Sequence, residues 1–233
     1  MVKAWELLGM AMRDYYEGDF AARVWVETEL LGNEWMQVGI FFRNQAQLVD
    51  LERYALSLCQ GKVLDLGAGA GCHSLILAAN GFEVTALDIS EAAVDVMRAR
   101  GLKQVICGTI TTLVEMKFDT ILMLMNGIGL VAELVELTNF FEQLKKFVNP
   151  GGQILLDSSD LRVVLQKQGK SLPAQQILEI AYQLKYQGLT SEKFNWLYLD
   201  QETLAKYATL AGWDAQVLYE EEEQFLVRLT SIF

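Results

Sequence analysis

The sequence predicts an α/β fold in which helices cover both faces of a mostly parallel sheet. Five apolar runs alternate with helix-like stretches between residues 62 and 157. The runs lack the polar–apolar alternation of a strand with one solvated face, so we expect strands that are buried on both faces. A loop with three closely spaced glycines follows the first run, where a strand is expected to turn into a helix.

The spacing of apolar residues predicts the elements in turn. The alternation on either side of Gly188 predicts two antiparallel strands. We expect Asp200 to cap the helix that follows it and Gly212 to end that helix. The glutamates at 220–223 are expected to form a solvated hairpin turn, with cation recognition as the alternative. Helices are predicted at 3–17, 45–58, 72–80, 91–100, 133–148, 161–168 and 201–211, and strands at 23–30, 62–66, 82–87, 103–107, 118–124, 152–157, 177–187, 193–199, 214–220 and 224–231.

The charge and composition of the 233-residue chain limit the classes of function. Its 19 basic and 30 acidic residues give a net charge of −11, and an acidic surface repels phosphate backbones, so no nucleic-acid partner is expected. The apolar window at 121–134 is too short for a membrane span, and the N-terminus lacks the apolar core of a signal peptide. The three cysteines lack metal-like spacing and indicate reduced thiols. We expect a soluble, cytoplasmic protein without a metal or a membrane partner.

The loop after the first buried strand indicates a nucleoside-containing cofactor. Glycines at 67, 69 and 71 let the backbone turn sharply and approach a ligand. Asp88 ends the next strand, 21 positions after Gly67, and this spacing suits an acidic residue that binds a ribose. The dinucleotide fingerprint needs glycine or alanine at its sixth position, where the two possible frames have Cys72 and Ser74. Asp65 inside the strand favours a cofactor with a cationic amino group.

Four blocks at 63–71, 84–90, 118–129 and 150–156 together resemble, in order and spacing, the class I S-adenosylmethionine-dependent methyltransferases. The resemblance implies a Rossmann-like, doubly wound, mostly parallel seven-stranded sheet with an antiparallel last strand, an N-terminal helical cap and an inserted β-hairpin. It implies a single domain over 1–233. That domain would comprise a cap at 1–45, a cofactor-binding half at 46–157, an inserted substrate or dimer region at 158–199 and a final helix–strand–strand at 200–233.

The resemblance also implies which residues bind S-adenosylmethionine. Asp65 and the glycine loop would face its methionine part, Asp88 would hold both ribose hydroxyls, and Asn126 would line the methyl-transfer site. Thr109 departs from the family pattern, because many relatives carry an acidic residue there that receives the adenine amino group. The implied cofactor-binding residues are Asp65, Gly67, Ala68, Gly69, Gly71, Asp88, Ile89, Thr109, Ile110 and Asn126.

Some of these residues also have a purely structural interpretation. Asp88 would alternatively cap the helix at 91–100, although Ser90 suits that role better. Asn126 would alternatively start a turn with Gly127. The sole histidine, His73, is expected to pack at the start of the helix after the glycine loop rather than to act as a base.

Residues outside the four blocks are candidates for substrate binding. Asp157 and Asp160 follow the fifth strand at its carboxyl end, where ligands of open α/β sheets bind, and either would alternatively cap the next helix. Several cap residues would clamp the donor or the acceptor, or else pack in the core. They are Tyr15, Tyr16, Trp35, Phe41, Phe42 and Arg43. No catalytic residue is assigned.

The sequence therefore predicts S-adenosylmethionine-dependent methyl transfer to an unidentified, small-molecule acceptor by in-line displacement. One alternative is a nicotinamide-dependent oxidoreductase, which both glycine frames disfavour. Another is a non-catalytic scaffold that binds S-adenosylmethionine. The strands at 177–187 and 193–199 are expected to form a wall of the acceptor pocket or the surface of a homodimer.

Overall fold

The computed structural model describes residues 1–170 and 179–232. The helices in this part of the chain are α1 Ala4–Tyr16, α2 Asp50–Ser57, α3 Cys72–Ala79, α4 Glu91–Ala99, α5 Leu137–Leu144, α6 Leu161–Lys167 and α7 Gln201–Leu210. The strands are β1 Arg23–Thr28, β2 Glu34–Gln37, β3 Lys62–Leu66, β4 Glu83–Asp88, β5 Gln104–Cys107, β6 Phe118–Met123, β7 Val148–Ser159, β8 Glu179–Tyr186, β9 Leu189–Thr190, β10 Phe194–Leu197, β11 Trp213–Glu221 and β12 Gln224–Ser231.

The strands form two sheets. The larger sheet has seven strands in the order β11-β12-β7-β6-β3-β4-β5. Strands β3, β4 and β5 pair in parallel, as do β6 and β7, whereas β12 is antiparallel to both β7 and β11. The smaller sheet has the order β10-β8-β1-β2, and β9 pairs with β8. The predicted Rossmann-like α/β fold, its antiparallel last strand and its additional hairpin are confirmed.

The described chain falls into two compact units. The first unit contains Met1–Val49, Lys62–Val114 and Ala181–Phe194. The described residues of the second unit lie within Asp50–Gly61, Glu115–Ile180 and Asn195–Phe233. The glycine loop and Asp88 belong to the first unit, and Asn126 and Asp157 belong to the second.

The core of the first unit lies between α1, α4 and the smaller sheet. Leu7 of α1 and Val24 of β1 are fully buried in one apolar cluster with Ala93 of α4. The two helices approach closely because Gly9 has no side chain, and a Cβ there would overlap the hydroxyl of Ser90. Tyr186 of β8 closes this core and donates its hydroxyl hydrogen to Asp14 at 2.7 Å.

The core of the second unit is built around large aromatic side chains. Trp213, Phe141 and Phe225 are each at least 99% buried. Trp213 also donates its indole N–H to the carbonyl oxygen of Phe141 at 2.9 Å, so its one polar group is satisfied. The strands β11 and β12 are joined at Glu222 and Glu223, which both pair with Lys167, and this confirms the predicted hairpin turn.

The helix predicted at 45–58 is shorter than expected. Asn44 caps a 3-10 turn at Gln45–Gln47, and its side chain accepts a hydrogen bond from the amide of Ala46 at 3.0 Å. Leu48 then adopts an extended conformation with φ −68° and ψ 148°, which ends the turn. The α-helix therefore begins only at Asp50.

One further difference concerns the smaller sheet. Strand β2 was not predicted, because its residues are mostly exposed and carry no clear apolar alternation. Residues 177 and 178 of the strand predicted at 177–187 lie outside the described residues.

Within the described ranges, no helix combines the length and the apolar character needed to cross a membrane.

Candidate functional site

The glycine loop leaves β3 and reaches the first turn of α3. Gly67, Gly69 and Gly71 have φ angles of 78°, 57° and 80°, which lie in the left-handed region that favours glycine. The amides of Gly67 and Ala68 both donate to the carbonyl oxygen of Leu87, at 2.9 and 3.0 Å. These amides are thus used within the fold, and the loop offers a ligand a backbone surface without side chains.

Gly71 is also required for packing. A Cβ at this position would lie 2.8 Å from Leu102 Cδ1 and 3.0 Å from Met97 Cγ. Both neighbours are buried and belong to the apolar cluster around α4, so they have little room to move. The glycine thus fixes the approach between the start of α3 and the residues of α4.

Asp88 lies at the carboxyl end of β4 and holds the glycine loop. Its Oδ2 accepts a hydrogen bond from the amide of Gly69 at 2.8 Å, and its Oδ1 accepts one from the amide of Ser90 at 2.9 Å. The amide of Ile89 also contributes to this carboxylate, and since a carboxylate has about four acceptor sites, acceptor capacity remains for a ligand. Burial raises the pKa of Asp88. Ser90, whose hydroxyl accepts from Ala93, caps α4, and the alternative role of Asp88 as that cap is wrong.

Asp65 is a buried carboxylate beneath the loop. It is only 2% exposed and accepts hydrogen bonds from the hydroxyl of Ser74, at 2.6 Å, and from the same residue's amide. Burial raises its pKa, while the neighbouring His73 and the hydrogen bonds from Ser74 act in the opposite direction. His73 is buried in the first turn of α3, as predicted. A ligand with a cationic group would compensate the desolvated carboxylate.

The residues expected beside adenine lie at the ends of the next two strands. Ile89 follows β4 and is 40% exposed, so its side chain is available to a planar ligand. Thr109 follows β5 and is exposed, and its hydroxyl is hydrogen-bonded to that of Thr111 at 2.8 Å. Ile110 is instead buried in the 3-10 turn Ile110–Thr112. In the described structure, Ile89 and Thr109 are therefore more accessible to an adenine ring than Ile110 is.

Apolar residues of the cap lie over the loop. A Cβ on Gly69 would be 3.4 Å from Phe41 Cδ1 and 3.5 Å from Met12 Cε. Arg100 donates to the carbonyl oxygen of Ala70, and its guanidinium lies 4.8 Å from the ring centroid of Phe42. The cap thus contacts the loop through Met12 and Phe41. Met12 and Arg100 were not singled out from the sequence, because neither carries a local motif.

The other candidate residues of the cap have partners within the first unit. Tyr15 packs on Phe42, with ring centroids 4.5 Å apart. The Tyr16 hydroxyl donates to the carbonyl oxygen of Ala99 at 3.2 Å. Trp35 is on strand β2, and the guanidinium carbon of Arg23 lies 4.3 Å from the centroid of its ring. The carbonyl oxygen of Arg43 accepts from the thiol of Cys72 at 3.2 Å.

In the second unit, Asn126 begins a turn that follows β6. Its backbone is left-handed, with φ 56° and ψ 50°. Asp157 holds this turn, since its two carboxylate oxygens accept hydrogen bonds from the amides of Asn126 at 3.0 Å and Gly127 at 2.9 Å. The side-chain Nδ2 of Asn126 donates to the carbonyl oxygen of Leu197 at 3.0 Å. Asn126 thus starts a turn with Gly127, as the alternative interpretation expected.

The two acidic residues near the end of β7 have different roles. Asp157 lies within the strand and is 5% exposed, so its predicted alternative role as a helix cap is wrong. Asp160 caps α6 by accepting from the amide of Arg162 at 2.9 Å, and it also pairs with the guanidinium of Arg162. The sequence could not assign these roles, because the contact between Asp157 and Asn126 spans 31 residues.

The first unit fits a nucleoside that is joined to a cationic amino acid. The loop has no side chains at its three left-handed glycines, Asp88 retains acceptor capacity for a hydroxyl donor, and Asp65 is a buried carboxyl group. These features match the ribose and the amino group of S-adenosylmethionine.

Comparison with known proteins decides the family. A crystal structure of a SAM-dependent methyltransferase from Bacteroides fragilis, in complex with S-adenosyl-L-homocysteine, is similar to this chain at 36% identity and a TM-score of 0.90. The similarity covers 100% of this chain and 98% of that chain. This chain belongs to the S-adenosylmethionine-dependent methyltransferases. It is therefore a methyl-transferring enzyme whose cofactor is S-adenosylmethionine, and the oxidoreductase alternative is wrong.

Other comparisons agree with this methyltransferase fold. The family model described as methyltransferase domain matches residues 63–152. The CcbJ methyltransferase from Streptomyces caelestis is 15% identical, with a TM-score of 0.61 over 80% of this chain and 98% of that one. A methyltransferase from Clostridium acetobutylicum is 16% identical, with a TM-score of 0.58 over 80% of this chain and 94% of that one. At these identities the likeness shows the fold alone. None of the curated proteins matches this methyltransferase.

Proposed function

We propose that this methyltransferase transfers the methyl group to a small-molecule acceptor by in-line displacement. The observation that most supports the proposal is the state of Asp88, whose two oxygens are held by the amides of Gly69 and Ser90. The amide of Ile89 contributes as well, and the carboxylate retains acceptor capacity for a ribose hydroxyl. The Bacteroides fragilis relative was crystallised with S-adenosyl-L-homocysteine, and we propose that this chain binds the same compound through Asp65, Asp88 and the glycine loop.

The residues of the chain would act mainly by positioning. When bound, S-adenosylmethionine supplies a methyl group on a positively charged sulfur, so the leaving group needs no activation by the protein. Holding two reactants in line supplies about 7–11 kcal/mol of a reaction barrier. Asp65 and Asp88 would fix the two polar parts of the cofactor, and Met12 and Phe41 would exclude water above Gly69.

Two features support a small acceptor rather than a macromolecule. The net charge of −11 disfavours a nucleic-acid substrate. In the second unit, the turn at Asn126 is shielded by its own neighbours, since Gly127 and Gly129 are buried and the indole of Trp196 lies directly against Gly129. A site of this kind admits a small functional group more readily than a folded surface.

No general base is assigned to the reaction. Asp157 accepts two backbone hydrogen bonds, and Asp160 is paired with Arg162. Both carboxylates predicted to contact the substrate are therefore engaged in the fold. An acceptor that binds as a free amine needs no base before it attacks, since its lone pair is already available.

The proposal is tested by incubating the enzyme with an isotope-labelled methyl donor and a cell metabolite extract, followed by mass spectrometry. We expect a small product that gains the labelled methyl group, and no such product with the Asp88→Ala variant. Binding of S-adenosylhomocysteine without any labelled small product would contradict the small-molecule acceptor. It would favour the alternative of a non-catalytic scaffold or a protein substrate.

The predicted homodimer stays a prediction. Strands β8, β9 and β10 form the smaller sheet together with β1 and β2. Strand β2 is a mostly exposed edge strand of this sheet. Exposed edges are sites at which sheets of two chains associate. Light scattering coupled to size-exclusion chromatography distinguishes a monomer of 26.2 kDa from a dimer.

A further inference from the structure

The turn after β6 holds two consecutive residues in an unusual backbone conformation. Met125 and Asn126 have φ angles of 66° and 56°. Asparagine tolerates the left-handed region better than most residues, but methionine does not. Backbone strain of this kind persists where the surrounding structure over-determines it, and it concentrates at functional sites. The left-handed conformation of these two residues therefore requires a structural cause.

Asp157 is the structural cause. It is 5% exposed, and its two oxygens accept the amide hydrogens of Asn126 and Gly127 at 3.0 and 2.9 Å. Gly127 also has no space for a side chain, because a Cβ there would lie 2.8 Å from Met123 Cβ. The carboxylate thereby fixes the direction in which the Asn126 side chain leaves the turn.

The orientation of the Asn126 amide is set by Leu197. The carbonyl oxygen of Leu197 is an acceptor, so the group 3.0 Å from it must be the Nδ2 donor of Asn126. A flipped amide would place two oxygens against each other. The side-chain oxygen Oδ1 must therefore point the other way. It is buried and has no hydrogen-bond partner among residues 1–170 and 179–232.

A buried acceptor without a partner is rare in native proteins, because burial removes the water that would otherwise satisfy it. The missing group must be a donor, since Oδ1 has only lone pairs to offer. Carbon and thioether groups have no donor hydrogen, and a thiol is a weak donor. Amines and hydroxyls are strong donors and are also the groups that retain a lone pair for a methyl group.

We propose that Asn126 Oδ1 accepts a hydrogen bond from the N–H or O–H group of the methyl acceptor, and that Asp157 is the positioning residue for this contact. The proposal rests on the proposed small-molecule function and specifies its substrate class as amines or hydroxyl compounds. Because Oδ1 is buried, the side chains that cover it must move to admit the acceptor's group.

The substrate class is tested by the position of the transferred methyl group. The wild-type enzyme is given a methyl-labelled donor, a cell metabolite extract and a panel of amines, alcohols, thiols and thioethers, and the methylated atom of each product is identified by nuclear magnetic resonance. Products methylated on nitrogen or oxygen support the proposal. Products methylated only on sulfur or carbon overturn it while leaving the proposed function intact. The absence of any methylated small molecule, although S-adenosylhomocysteine binds, overturns both.

The role of Asn126 is tested by two variants on the best acceptor from that panel. Asn126→Gly removes the side chain at a position where glycine adopts the backbone conformation freely. We expect kcat to fall about tenfold, which corresponds to loss of the hydrogen bond to the acceptor, and a larger effect on kcat than on the affinity for S-adenosylhomocysteine. Asn126→Asp keeps an acceptor oxygen and should retain more activity than Asn126→Gly. Equal kcat values for Asn126→Gly and the wild type would overturn the proposal.

The role of Asp157 is tested by Asp157→Asn. This variant keeps one acceptor oxygen but replaces the other with an NH2 group, which cannot accept a hydrogen bond from the backbone amides of the turn. We expect a lower kcat with little change in KM for the donor, and shifted side-chain amide signals of Asn126 in asparagine-labelled protein. Asp119→Asn is the matched control, because Asp119 accepts from the side chain of Asn149 at 2.8 Å and an amide oxygen can do the same. Equal effects of the two substitutions would overturn the positioning role.

Discussion

The carboxylate of Asp88 accepts a hydrogen bond from the backbone amide of Gly69 at 2.8 Å. This contact joins the end of β4 to the middle of the glycine loop across 19 residues of sequence. The residue expected to bind ribose is therefore also the residue that holds the loop in place. The second oxygen is fixed by Ser90, so both oxygens have a defined orientation before any ligand binds.

Gly71→Ala should destabilise the fold more than a substitution that only strains the backbone. Alanine at a left-handed position costs about 1 kcal/mol, and overlap with Leu102 and Met97 adds about 1–3 kcal/mol. Gly81→Ala is the matched control, because Gly81 has a φ of 89° and a Cβ added there would have no atom within 4 Å. Urea unfolding measures both free energies, and equal losses would mean that the packing against α4 is not restrictive.

The affinity for S-adenosylhomocysteine should decrease as the pH falls. Burial raises the pKa of Asp65 and of Asp88, so both carboxyls take up protons at a higher pH than exposed carboxyls do. A protonated Asp65 no longer attracts a cationic amino group. Calorimetric titration from neutral pH downwards measures this decrease. Asp65→Asn should bind more weakly at neutral pH and show a smaller pH dependence, and an unchanged slope would contradict the role of Asp65.

The same raised pKa has a consequence for stability without a ligand. A carboxyl whose folded-state pKa is raised stabilises the fold below its unfolded pKa and loses that contribution as the pH rises through the folded value. The buried charge on Asp65 therefore opposes folding at neutral pH. We expect Asp65→Asn to raise the melting temperature of the ligand-free enzyme near pH 7, and to raise it less at acidic pH. A lower melting temperature at both pH values would contradict this account.

Gly129→Ala should impair turnover through Trp196. The indole occupies the position that a Cβ on Gly129 would take, so the tryptophan and the segment that carries Leu197 must move. We expect a lower kcat, with the affinity for S-adenosylhomocysteine unchanged. Trp196→Phe supplies a smaller ring, and the double variant should recover part of the lost rate. A loss in the double variant equal to the sum of both single losses would show that the two residues do not interact.

The strands and the cofactor loop were predictable because their signals are local. Continuous apolar runs identify β3, β4 and β6, and the glycine spacing identifies the loop. The Asn126 turn depends instead on long-range contacts, with Asp157 at a separation of 31 residues and Leu197 at 71. No local pattern marks such pairs. The exposed strand β2 was missed for a different reason, since its burial has no period for a pattern to detect.

The contacts that the cap makes with the glycine loop also depend on the fold rather than on a local sequence pattern. The aromatic residues at 41 and 42 were candidates for the donor site, but only the fold shows that Phe41 approaches Gly69 while Phe42 packs on Tyr15. Met12 reaches the same glycine from α1, and a methionine on a helix face is indistinguishable from an ordinary core residue.

The central claim is that Asp88 holds the cofactor in this methyltransferase, and calorimetric titration of S-adenosylhomocysteine into the wild type and Asp88→Ala tests it most directly. Two hydrogen bonds to a charged group are worth about 3 kcal/mol or more, so Asp88→Ala should bind at least about a hundredfold more weakly. Asp95→Ala is the control, since Asp95 is exposed on α4 and its ion pairs with Arg13 and Arg98 lie at the surface. Equal affinity of Asp88→Ala and the wild type would contradict the claim.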